Sequence, residues 1–129
     1  MVKVVLDTNV LVSALWTQAG NCSAILSQVL QDELIPCFDH NIFNEYRIVL
    51  SRPRLVFSSA QTDELLREIA SRGLAVTVSP STVPLHDEAD RKFYDTAKAC
   101  DAILITGNIR HFPKDSLVMT PAQFLARKK

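Results

Sequence analysis

The sequence predicts an α/β fold, with a central parallel β-sheet covered by helices on both faces. Three observations predict it. Short apolar runs alternate along the chain with longer segments of helical periodicity. The strand candidates are nearly continuous apolar runs, as expected of strands buried on both faces. The chain has 129 residues, 47% of them hydrophobic and 22% charged, which suits one soluble domain spanning residues 1–129.

Each element follows from local signals. Val2 to Leu6 is a β-branched run that stops at Asp7 and reads as a buried strand. Val10 to Trp16 reads as a short helix, broken at Gly20-Asn21. Residues 22–31 place Ile25, Leu26, Val29 and Leu30 at helical spacing. Leu34 to Cys37 is a short strand. Asp39 is a capping residue for a helix from His40 to Leu50, with Ile42, Phe43, Tyr46, Val49 and Leu50 on its apolar arc. A helix from Thr62 to Arg72 turns Leu65, Leu66, Ile69 and Ala70 inward and closes at Gly73. Leu74 to Val78 is a strand, and Pro80 and Pro84 mark a loop. A helix beginning between Asp87 and Ala89 runs to Cys100. Ala102 to Ile105 and Leu117 to Met119 are strands, and Pro121 opens a final helix to Arg127.

Composition narrows the function classes. Fourteen basic and fourteen acidic residues leave a formal net charge of zero, so broad phosphate-coating chemistry is not expected. Nucleic-acid contact would need a local patch, or bound cations that change the charge of an acidic cleft. The three cysteines, Cys22, Cys37 and Cys100, form no C-x-x-C pair. Buried free thiols in a reducing cytoplasm are expected, not zinc or a disulfide framework. The opening apolar run is too short for a membrane span or a signal-peptide core.

In parallel sheets of this kind, function collects beyond the carboxyl ends of the strands. Asp7 and the segment from Thr106 to Asn108 should therefore be neighbours at one rim. Asp7 follows its strand directly, where a charge needs a partner. The competing reading is a plain helix N-cap. Glu45 falls on the flank of its helix's apolar arc, placed to reach the sheet rim or to lie in solvent. Asp87, Glu88 and Asp90 crowd a helix start, where acids are favoured anyway. Asp87 suits the cap, and Asp90 can point off the helix start. Three carboxylates from separate segments can hold one or two divalent cations. Without a His or Cys cluster, Mg2+ or Mn2+ is the expected class. Such ions activate water and stabilise the oxygens of an in-line phosphodiester displacement.

The string Val5-Leu6-Asp7-Thr8-Asn9-Val10 resembles the opening motif of PIN-domain ribonucleases. Asn44-Glu45-Tyr46, followed by Ser51-Arg52-Pro53, resembles their second acidic motif, particularly in the VapC-like toxin branch. The stretch from Asp87 to Phe93, then Ala97, Cys100-Asp101-Ala102 and Ile105-Thr106-Gly107, resembles the third motif and the strand after it. The resemblance covers essentially the whole chain, with the motifs in order. It implies a three-layer α/β/α sandwich with strand order 3-2-1-4-5. It also implies a metal-dependent ribonuclease, the toxin component of a toxin–antitoxin system, with RNA as substrate, a cognate antitoxin and a homodimer. By match, Asp7, Glu45 and Asp90 take the catalytic and metal-binding roles. Asn9 is the residue that orients the first Asp, and Thr106 is the hydroxyl of the last motif.

One departure stands out. Many members place a fourth Asp where this chain has Asn108, which offers a carbonyl oxygen but no charge. A second metal should bind more weakly, with Asn108 the weaker ligand. Asp115 and Asp87 are candidates for the missing charge. Of the basic residues near the motifs (Arg52, Arg54, Arg91, Lys92, Arg110, His111, Lys114), most are expected to be solvated. Arg110 and His111 are the RNA-contact candidates, since they follow the rim motif. Trp16, Phe43, Tyr46, Phe93 and Tyr94 suit core or interface packing, and the tail from Arg127 to Lys129 suits solvent. Two other functions compete: a catalytically weak or inactive PIN fold that binds RNA or protein, and a phosphatase of the haloacid-dehalogenase type. The phosphatase would need an Asp where this chain has Asn9.

Overall fold

The computed structural model describes residues 1–127. Five strands, β1 (Val2–Leu6), β2 (Leu34–Phe38), β3 (Leu74–Ala75), β4 (Ile103–Ile105) and β5 (Val118–Met119), form one sheet in the order β3-β2-β1-β4-β5. Every neighbouring pair is parallel, as continuous apolar strands require. Val4 faces Pro36 on one side and Ile103 on the other, so β1 is central. Val4, Val5, Leu104 and Ile105 are fully buried.

Among the described residues six α-helices cover the sheet: α1 (Thr8–Trp16), α2 (Asn21–Leu30), α3 (His40–Leu50), α4 (Ser59–Arg72), α5 (Arg91–Cys100) and α6 (Pro121–Ala126). Right-handed connections put α1 to α4 on one face and α5 on the other, because the chain winds outward from β1 and then returns to β4. The packing agrees: α1 to α4 touch one another, α6 packs on α2, and α5 lies against β1, β2 and β4. The result is the expected three-layer sandwich. The winding direction reverses between β1 and β4, so their carboxyl ends open the crevice where such folds bind ligands.

Several expectations need correction. The stretch from Leu74 to Val78 holds strand geometry only at Leu74–Ala75. Both residues are exposed at the sheet edge, with one neighbouring strand to hold them. Helix α4 starts at Ser59, three residues before Thr62, because the Ser58 hydroxyl caps it by accepting from Gln61 N at 3.1 Å. Ala70 is exposed, not inward. Gly73 closes α4 in extended geometry, φ −97°, so no left-handed turn demands glycine there. Close approach does: a Cβ would lie 2.5 Å from Pro36 O and 2.9 Å from Phe38 Cε1. Trp16 is 60% exposed and edge-on to Phe57, so of the two expected placements, core or interface, the core is excluded. Cys37 and Cys100 are buried free thiols, while Cys22 is only half-buried. No helix among the described residues is long and apolar enough to cross a membrane. Lys128 and Lys129 lie outside the described residues.

Candidate active site

Asp7 occupies the N-cap position of α1, yet its side chain makes no capping bond. Its Oδ2 instead accepts from Thr106 Oγ1 at 2.7 Å, across 99 residues of sequence. The Thr106 hydroxyl in turn accepts from Asn108 N at 2.9 Å. Strand pairing makes this contact possible, since Leu6 is in register with Ile105 and the next residue on each strand is Asp7 and Thr106. Asp7 is 7% exposed. Burial raises its carboxyl above the ordinary range, opposed by the Thr106 bond, and the charges of Asp90 and Glu45 raise it further. Asn9 does not bond Asp7. Its Oδ1 accepts from Gly107 N at 3.2 Å, so it holds the rim loop while Thr106 orients the Asp.

Helix α3 is seated by two side chains. Asp39 caps it, accepting from Ile42 N at 2.8 Å. Tyr46 donates from its hydroxyl to Leu6 O at 2.5 Å, tying α3 to the residue before Asp7. Burial first, then nearby carboxylates, raise the Tyr46 phenol well above its usual value, so it stays a donor. The next residue back, Glu45, thereby reaches the rim. Its Oε2 accepts from the Thr8 hydroxyl, and its Oε1 lies 2.9 Å from Lys92 Nζ.

The third carboxylate comes from the start of α5. A short 3-10 turn, Glu88–Asp90, is capped by Asp87, whose Oδ1 accepts from Ala89 N at 3.0 Å. Asp90 then sits at the N-cap of α5 without a capping bond. Its Oδ2 is shut off from solvent and has no hydrogen-bond donor. His111 Nδ1 lies 3.5 Å from the same oxygen, too far for a well-formed hydrogen bond but close enough to pair with it when the imidazole is protonated. Burial, then the charge of Asp87, raise the Asp90 carboxyl, and His111 and Lys92 oppose them.

Asp7, Glu45 and Asp90 therefore share one electrostatic environment at the sheet's carboxyl rim. An oxygen-only donor set and an unpartnered buried carboxylate oxygen fit a hard divalent cation. Among the described residues no three His, Cys, Asp or Glu side chains converge tightly enough to hold a metal ion. Both oxygens of Glu45 are engaged, by Thr8 and by Lys92. A groove of about 530 Å3 opens beside Glu45, lined also by Asn44, Arg52, Arg91 and Lys92.

The other candidates separate. Asn108 is exposed, and its backbone, not its side chain, bonds Thr106. Asp115 is committed elsewhere, to Tyr94, Lys98 and Leu117 N. Asp87 stays near enough to act on Asp90 by charge. His111 adjoins Asp90 and lies 5.4 Å from His86, ring centre to ring centre, in a tilted arrangement, whereas Arg110 is exposed and borders a different cavity with Lys114. Thr8 and Lys92 are the residues sequence reasoning missed. Adjacency to Asp7 was a usable signal for Thr8. Lys92 stood among the basic residues near the motifs, but its pairing with Glu45, 47 positions away, had no local signal.

Residues 3–110 match the PIN-domain family, a family of nuclease-type fold whose members generally use divalent metals and act on RNA. An uncharacterized protein of Methanocaldococcus jannaschii is 30% identical over 110 residues, covering 83% of this chain and 71% of that protein. The matched span runs from β1 through the Thr106 rim and contains all three carboxylates, and the chain belongs to the PIN-domain family.

Proposed function

We propose that the protein is a Mg2+- or Mn2+-dependent ribonuclease that hydrolyses RNA phosphodiester bonds. One observation carries this reading: Asp90 Oδ2 is buried without a donor, in the same field as the raised carboxyl of Asp7. Burying like charge together is costly, and His111 offsets the charge of Asp90 only when protonated, so the cluster favours a bound cation. Asp7, Asp90 and Glu45 would hold the ion, with Asn108 a weaker neutral contact. When bound, the ion would supply water activation and stabilise charge on the phosphodiester oxygens. Thr106 keeps Asp7 in one orientation, and Thr8 does the same for Glu45. Lys92 and Arg52 line the adjoining groove and suit a phosphate backbone.

The toxin role belongs to the same proposal, with a cognate antitoxin and a homodimer as partners. A cleft lined by Val12, Trp16, Val49 and Leu55 lies beside Thr8 and Asn9, and its apolar character supports a protein partner at the rim. The engaged state of Glu45 and the neutral Asn108 favour a second reading, a PIN fold that binds RNA without cutting it.

The deciding experiment is RNA cleavage by purified protein with Mg2+, Mn2+ or EDTA, beside Asp7→Asn. Metal-dependent cleavage that drops at least about a hundredfold in the variant is expected. RNA binding without cleavage under either metal would favour the binding module.

A further inference from the structure

We propose that Lys92 is an internal counter-ion for Glu45 that transfers to a substrate phosphate, so that metal binding and RNA binding assist each other. This rests on the metal-dependent ribonuclease reading above. Lys92 Nζ lies 2.9 Å from Glu45 Oε1 and also donates to Ala89 O. Thr8 holds the other carboxylate oxygen. A divalent ion that uses Glu45 as a ligand must therefore bind an oxygen that already carries one of these partners. The Thr8 hydroxyl is neutral and can remain nearby. An ammonium in contact with a ligand oxygen repels the incoming ion at close range, so Lys92 is the group that leaves.

The position of Lys92 points the same way. It lies in the first turn of α5, where the helix macrodipole favours acids and disfavours cations. Helix formation thus gives no reason for a lysine there, whereas the Glu45 contact does. The two side chains are only 19% and 29% exposed, so solvent screens the pair less than a surface pair. Lys92 also has somewhere to go. It lines the groove of about 530 Å3 with Arg52 and Arg91. Arg91 is already held by Glu88 and by Ser81. Lys92 carries its charge on a flexible four-carbon stem and can exchange one anionic oxygen for another. A phosphodiester entering the groove would draw Lys92 from Glu45 and leave that carboxylate to the ion. By linkage, a bound ion would strengthen phosphate binding by the same factor.

The test is Mn2+ affinity by calorimetry at constant ionic strength, with and without a phosphorothioate oligonucleotide. The full chain is compared with Lys92→Met and Arg52→Gln. Lys92→Met is expected to bind Mn2+ about three- to tenfold tighter without oligonucleotide, the scale of a lost ion pair. Arg52→Gln removes the same charge from the same groove without touching a site carboxylate, and should shift affinity by less than about twofold. Oligonucleotide should tighten Mn2+ binding to the wild type, and Lys92→Met should lose most of that gain. Lys92→Gln repeats the measurement if Lys92→Met does not fold. Equal Mn2+ affinity in wild type and Lys92→Met overturns the inference while leaving the ribonuclease reading standing. So does a Lys92→Met shift no larger than that of Arg52→Gln. If neither protein binds Mn2+, the ribonuclease reading falls and takes this inference with it.

Discussion

Asp115 and Asp90 are both acids associated with α5, and the protein treats them in opposite ways. Asp115 accepts from Tyr94 Oη and Lys98 Nζ, each at 2.9 Å, and from Leu117 N at 3.0 Å. The Leu117 bond, followed by Lys98, holds its carboxyl below the ordinary range. Asp90 has an oxygen sealed from water with no donor, and its carboxyl is raised. Among the described residues two other buried side-chain oxygens lack partners, Thr62 Oγ1 and Thr96 Oγ1, but neither carries a charge. Asp95 follows the Asp115 pattern, with Ser81 N at 2.8 Å and Ser81 Oγ at 2.6 Å. An acid whose two oxygens both accept bonds from the chain holds the fold together. One left unpartnered is available for a ligand, at a cost in stability.

The largest effect that tests this contrast is on cleavage. Asp90→Asn should lower metal-dependent turnover about a hundredfold or more, while Asp115→Asn should stay within about threefold. Equal losses would erase the distinction. Thr106→Val should follow, with roughly a tenfold loss in a single-turnover assay, because it frees the Asp7 carboxylate without removing it. Thr106→Ser should restore most of that loss.

Stability should run the other way. Asp115→Ala is expected to lower unfolding free energy by roughly 1–3 kcal/mol in urea titrations, since it strands Tyr94, Lys98 and Leu117 N. Asp90→Asn should be neutral or raise stability by about 1 kcal/mol, since it removes a charge that shares its surroundings with Asp7 and Asp87. A destabilised Asp90→Asn would mean that its oxygen has a structural partner after all.

The smallest effect is the pH dependence of metal-free stability. Asp7 and Asp90 have carboxyls raised above 3.8 in the fold, so the native state binds their protons more tightly. As pH falls from neutral through those raised values toward 3.8, stability should rise slightly. Asp115 is lowered below 3.8, so its contribution is present above that pH and is lost as pH falls through its folded value. Thermal melts across this range should show the first feature reduced in Asp7→Asn and the second lost in Asp115→Ala.

Much of this was readable from the chain. Val4, Val5, Leu104 and Ile105 announce buried parallel strands because nothing polar interrupts them. Parallel strands in turn bring Asp7 and Thr106 to one rim, since each is the residue that follows its strand. The expected role of Asn9 was not upheld, because hydrogen bonding to Gly107 depends on the path of the rim loop. Whether Trp16 belongs to the core or to an interface is not legible in the sequence, because periodicity shows which residues share a face and not whether another element covers that face.

Composition and periodicity thus suffice for the layers, the parallel sheet and the rim that gathers the carboxylates. Those properties depend on short-range spacing and on the burial of apolar area. Whether each carboxylate is spoken for was settled by tertiary packing. Glu45 meets Thr8 and Lys92, Asp115 meets Tyr94 and Lys98, and Asp90 Oδ2 meets no donor. Such partnerships act over a few ångströms between residues far apart in sequence, and they depend on helix placement and side-chain rotamer, which no local pattern encodes.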